Sequence, residues 1–249
     1  MEPDRQLAEG IEAARDAHFD QHGLLCRYPA FAVSRERGRL AAYLANLDSL
    51  ELKRMRIPAQ TSFWINVFNA GVLRDAPELE FAAGPRDVRA FFEQPRLKIG
   101  GHAFSLDDVQ HGLLRGNVPK QGRLRAPMSR DDPRLAFMPI AFDERIHFAL
   151  YTAARSSPSL RAFDGGGLDR QLEEASTDYL RRTVRVEDGG ALVVLPRLLD
   201  WYAKDFGGER GALEFAVGRL DDTAVDAVDR RQGRVKLQYA EFDWTLNRR

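Results

Sequence analysis

At 249 residues the chain is long enough to bury a sizeable core without disulfides or metals, and its 44% hydrophobic and 30% charged residues are those of a folded globule. Lys+Arg number 37 and Asp+Glu 37, so the net charge is zero and the electrostatic footprint of a nucleic-acid binder is missing. The single Cys26 rules out an internal disulfide and a thiolate metal site, and it suits a reducing compartment.

The N-terminus carries Glu2 and Asp4 where a secretory signal needs a basic start and then a continuous apolar run. No apolar stretch approaches the roughly 20 residues that span a bilayer. The expectation is a cytoplasmic protein that neither enters a membrane nor binds nucleic acid. Leu7, Ile11, Ala14 and His18 recur at helical spacing, as do Leu40, Tyr43, Leu44 and Leu47 after Ser34. Pro58 opens a third helix, expected to be buried, in which Asn66 and Asn69 share a face.

Leu97 to Phe104 reads as a hairpin around Gly100-Gly101, since paired glycines supply the positive φ angles of two-residue turns. Ser105 and Asp108 resemble a capping box for a helix through Leu106, Val109 and Leu113 that Gly116 can end. From Val118 to Pro139 four prolines interrupt any period, which predicts a long loop of the kind that often borders a binding site. Ile146, Phe148 and Leu150 alternate with Arg145, His147 and Ala149, most simply a strand with His147 on the less apolar face, although the spacing also allows a helix.

Leu168, Leu172, Ala175 and Tyr179 mark a helix after Gly165-Gly166-Gly167. Thr183–Val186 and Leu192–Leu195 flank Asp188-Gly189-Gly190 as a second hairpin. Leu198 to Tyr202 and Leu213 to Leu220 look helical, and Val235, Leu237 and Tyr239 alternate as a closing strand. The expected fold is α+β, one helix-rich domain over residues 1–249 with a small, mostly antiparallel sheet.

Five blocks carry a resemblance: Ser62 to Ala70 (SFWINVFNA), Ser105 to Arg115, Asp143 to Leu150 with Ser156-Ser157-Pro158 after it, Trp201 to Phe206, and Phe242 to Asn247. In this order and spacing the chain resembles the domain of unknown function 547 family from about residue 35 to the C-terminus. The family pattern commonly has a cysteine where this chain has Ser157 before Pro158. A thiol with a pKa of about 8.5 becomes a nucleophile easily, whereas a serine hydroxyl needs a base and an oxyanion hole.

His147 is the first catalytic candidate, because imidazole titrates in the physiological range and can take and return a proton. The resemblance strengthens that choice. Ser157 is the alternative nucleophile. Asn66 and Asn69 can orient a carbonyl or bridge buried backbone groups, and Arg115 can clamp a carboxylate or phosphate. Trp64 and Tyr151 are candidates to line an apolar substrate, while Trp201, Tyr202 and Trp244 read as core. His18, His22, His102 and His111 read as surface or packing residues, and no metal or other cofactor is called for. The leading expectation is a cofactor-independent enzyme with His147 as acid/base on a small, largely apolar molecule, in an elimination, isomerisation, addition or cyclisation. The alternatives are a Ser157 acyltransferase or hydrolase and a non-catalytic binding module.

Overall fold

The computed structural model describes residues 3–49, 57–79 and 90–249. The fold is α+β, rich in helix, with two small sheets. Contacts cluster into two compact units, Met1–Gln171 with Trp244–Arg249, and Leu172–Asp243.

The first unit is built around one helix. Helix α1 spans Pro3–His18, α2 Tyr28–Ala32, α3 Arg35–Ala45 and α4 Ile57–Leu79. Apolar side chains between Phe63 and Ala76 point to every side of helix α4, with the buried Asn66 and Asn69 among them, the pattern of a helix buried on all sides, and α1, α2 and α3 pack against it. Leu7, Ile11 and Ala14 of α1 and Leu40 and Leu44 of α3 supply the facing apolar stripes. Ser34 caps α3 by accepting a hydrogen bond from Arg37 N at 3.2 Å. Helix α2 has no counterpart in the hydrophobic periodicity, since five residues are too few to show one.

Strands β1 (Pro95–Ile99) and β2 (His102–Ser105) form the expected antiparallel hairpin, with φ of 57° at Gly100 and 79° at Gly101. The capping box is reciprocal: Ser105 N donates to Asp108 Oδ2 and Asp108 N to Ser105 Oγ, each at 2.9 Å. The helix it starts is of an unexpected type, a π-helix over Asp108–Leu114. Gly116, at φ 69°, ends it, and its N–H returns to Leu113 O at 3.1 Å. Residues 118–139 form the expected loop, broken by one 3₁₀ turn at Pro133–Phe137.

The strand expected around His147 is instead a 3₁₀ turn, Glu144–Phe148, and His147 is buried rather than on a polar face. Asp143 starts the turn by accepting from Arg145 N at 2.9 Å, and Ala149 N closes it on Ile146 O at 2.9 Å. With its backbone satisfied inside the turn, the segment needs no ladder partner, and apolar alternation alone does not reveal that.

The second unit takes most of α5 (Leu168–Thr183), then β3 (Arg185–Glu187), β4 (Leu192–Leu195), α6 (Arg197–Trp201), α7 (Glu209–Val217), α8 (Asp222–Asp229) and β5 (Lys236–Tyr239). Strands β3 and β4 pair antiparallel, and β5 joins β4 in parallel after the intervening helices. Asp221 caps α8, the second helix that the periodicity passed over, by accepting from Ala224 N at 3.0 Å.

Candidate functional site

The residues of the histidine and asparagine blocks meet in the first unit, and their polar atoms are used to hold the fold. Asn69 is fully buried on α4; its Nδ2 donates to Ala149 O at 2.9 Å and to Arg161 O at 3.3 Å, while its Oδ1 accepts from Tyr151 N at 2.9 Å. Asn66 does the same for Phe163, donating to its O at 2.6 Å and accepting from its N at 3.0 Å. An irregular buried segment must satisfy its backbone somewhere, and these two amides are where it does so. Ser157 Oγ donates to Pro158 O at 2.8 Å and accepts from Thr152 N at 2.9 Å.

Trp64 lies in the core, with Nε1 donating to Phe137 O at 2.9 Å. The Tyr151 hydroxyl bonds Tyr28 Oη at 2.7 Å and donates to Asn247 Oδ1 at 3.0 Å; burial pushes this phenol well above its ordinary range. His147 is 2% exposed and meets the ring of Phe142 at 6.4 Å between centroids. His18 bonds Glu36 at 3.2 Å between α1 and α3, and His22 bonds Gln21. Among the described residues no group of three or more His, Cys, Asp or Glu is arranged to hold a metal ion.

An open cleft of about 530 Å³ lies elsewhere in the first unit, between the π-helix and the loop that follows it. Asp107, His111 and Lys120 line it, with Arg123, Arg125 and Glu93 toward its rim. Asp107, His111 and Arg115 are each four apart, so they share one helical face, and the i→i+5 bond from Arg115 N to Gln110 O at 2.9 Å closes the last turn of the π-helix.

These side chains form a chain of contacts. Arg115 Nη1 lies 3.0 Å from His111 Nδ1, and both residues are buried. A guanidinium only donates, so Nδ1 is the acceptor and the neutral imidazole carries its proton on Nε2. Nε2 lies 4.0 Å from Asp107 Oδ1, too far for a hydrogen bond. The other oxygen, Oδ2, accepts from Lys120 Nζ. Burial pushes the Asp107 carboxyl above its ordinary value, and Lys120 offsets part of that rise. The neighbouring Asp108 is taken by Arg134 Nη1 at 2.9 Å and by Ser105 N.

The family model described as a protein of unknown function, DUF547, matches residues 52–180. The chain belongs to this family. The match holds the asparagine, π-helix and histidine blocks of DUF547, with Ser157 and the whole cleft, while the blocks at Trp201 and Phe242 fall outside it. Comparison with curated proteins and with solved structures finds no match. No described helix is long and apolar enough to cross a membrane.

Of the residues singled out in the sequence, Arg115 belongs to the chain of groups at the cleft. His111, read from the sequence as a surface or packing residue, joins it, and so does Asp107, which the sequence reading does not single out. The signal that finds them is the pair of four-residue steps from Asp107 to His111 to Arg115, which places an acid, an imidazole and a cation on one helical face.

Proposed function

We propose that the protein is an acid/base enzyme acting on a small polar organic molecule in the Asp107–His111 cleft. The observation that carries this reading is the Arg115 to His111 hydrogen bond, 3.0 Å long and buried, which leaves a neutral imidazole with Nε2–H beside a carboxylate at the cleft wall. A neutral imidazole whose Nδ1 is occupied is a hydrogen-bond donor rather than a base. It suits polarisation of a substrate carbonyl, while a carboxylate raised by burial suits removal of a proton from the adjacent carbon. Isomerisation and elimination both begin with that step. The charged side chains of Asp107, Lys120 and Arg125 at the cleft favour a polar substrate over the largely apolar one expected from the sequence.

The test is to incubate a small-molecule extract with the wild-type chain and with His111→Gln and Asp107→Asn, following consumption by mass spectrometry. Either substitution should slow consumption by roughly 10²–10⁴-fold. Equal consumption by the variants, or none by the wild type, defeats the reading.

A second reading keeps His147 as the acid/base group. Its support is Phe142, 42% exposed and in edge contact with the imidazole, which brings a partly solvent-exposed side chain against His147. In this reading His147→Ala abolishes consumption and His111→Gln does not. The Ser157 alternative is disfavoured by a hydroxyl proton already given to Pro158 O, and a fluorophosphonate label on Ser157 would restore it.

A further inference from the structure

The cleft carries a second feature that the acid/base reading does not use: its carboxylate is already occupied by a cation from the loop. Lys120 lies 13 residues beyond Asp107, its side chain is one-third exposed, and its ammonium reaches back to Oδ2 of a carboxyl that is only 15% exposed. A base held in an ion pair is weakened, because the cation stabilises the charged form that must accept the proton. Three residues further along the loop, Arg123 is matched by Glu93 at 3.3 Å. Arg125 also lines the cleft, is exposed, and makes no ion pair among the described residues. The loop thus offers the cleft one cation that is engaged but displaceable and one that is unengaged.

We infer that the cleft takes a molecule bearing a small oxyanion, a carboxylate or a phosphate, which draws Lys120 away from Asp107, is held also by Arg125, and so frees Asp107 to act as the base. The inference rests on the acid/base reading of the same cleft and adds its substrate class and its trigger. Charge is conserved in the exchange: the oxyanion replaces the carboxylate as the partner of Lys120, and Asp107, left in a poorly solvated position, takes its proton from the substrate carbon or, with a non-reacting anion, from solvent. The Lys120 side chain is long, flexible and partly solvated, so releasing it requires no change in the core. An empty cleft keeps its base quenched, and only a molecule of the right charge activates it.

The experiment uses the full chain with carboxyl-¹³C aspartate, the Asp107 signal being assigned by its loss in Asp107→Asn. Acetate and inorganic phosphate are the two probes, titrated separately. At least one should bind saturably, and saturation should raise the titration midpoint of Asp107 by about 1 pH unit or more, the displacement ordinarily caused by an opposite charge within hydrogen-bonding range. Which probe does so separates the carboxylate from the phosphate source. Lys120→Met should raise the midpoint to the same degree without any anion and leave nothing for the anion to add, and Arg125→Met should weaken binding at least tenfold.

Binding that leaves the Asp107 midpoint unmoved overturns the exchange. Binding insensitive to both substitutions overturns the site, and the absence of binding by either probe overturns the substrate class. Failure here is distinct from failure of the acid/base reading: consumption of an uncharged molecule by the wild type and not by Asp107→Asn would sink this inference and leave that reading standing.

Discussion

Replacing Asn69 by alanine removes three hydrogen bonds from a fully buried position and strands Tyr151 N, Ala149 O and Arg161 O. Each bond is worth about 0.5–1.5 kcal/mol net, and an orphaned buried donor costs roughly 1–3 kcal/mol more. The 3.3 Å bond to Arg161 is the weakest of the three, and carbonyls tolerate loss of a partner better than N–H groups do. The expected cost is therefore about 3–5 kcal/mol, a large part of the roughly 5–15 kcal/mol that holds a domain together.

The measurement is urea unfolding followed by tryptophan fluorescence in a Trp201→Phe background, where the two remaining tryptophans, Trp64 and Trp244, both report on the first unit. Asn69→Asp keeps the acceptor for Tyr151 N but loses the donor, and its cost should shrink in acid, where the protonated carboxyl donates again. A loss under about 1 kcal/mol for Asn69→Ala would refute the assignment of this residue to the backbone of the histidine segment.

Three further outcomes follow from the same reasoning. Burial raises the Asp107 carboxyl, so the fold disfavours its charged form; its contribution to stability is fully present below the ordinary aspartate value of about 3.9 and is lost as pH rises through the raised one. Asp107→Asn should therefore melt above the wild type at pH 7, with the gap closing below pH of about 4, and a variant less stable at pH 7 contradicts this. Gly190 has φ 88°, and a Cβ there would sit 2.1 Å from Ala227 O; Gly190→Ala should cost at least about 2 kcal/mol, measured in the second unit, and a neutral effect would mean that α8 shifts freely. Cys26 is fully buried, with its thiol pushed up to about 12, so it should resist an aromatic disulfide reagent at pH 8 until the chain unfolds; labelling of the native protein within minutes is the opposing result.

The features legible in the sequence are those whose causes lie within a few residues. Ser34 caps its helix, Ser105 and Asp108 close their box, Gly100 and Gly101 turn the first hairpin, and four prolines keep 118–139 irregular, each through chemistry confined to its own segment. Even the burial of α4 follows from its composition, with apolar residues on every side. Family membership was legible too, because it rests on the order of blocks rather than on their contacts.

Tertiary structure decided what the chemistry-bearing side chains do. Asn66 and Asn69 could equally have served a ligand, and only the fold brings Phe163, Ala149 and Tyr151, 80 residues or more away, into reach of their amides. The His147 segment alternates like a strand yet closes on itself as a 3₁₀ turn, with Asn69 taking the backbone groups of Ala149 and Tyr151 that follow it. Asp107, His111 and Arg115 share a helical face by their spacing alone, but it is the loop's return that sets Lys120 on the carboxylate. Local sequence determines which backbone conformations are inexpensive; desolvation and charge pairing depend on what the rest of the chain places alongside, and those determine whether a histidine is packing or part of a site.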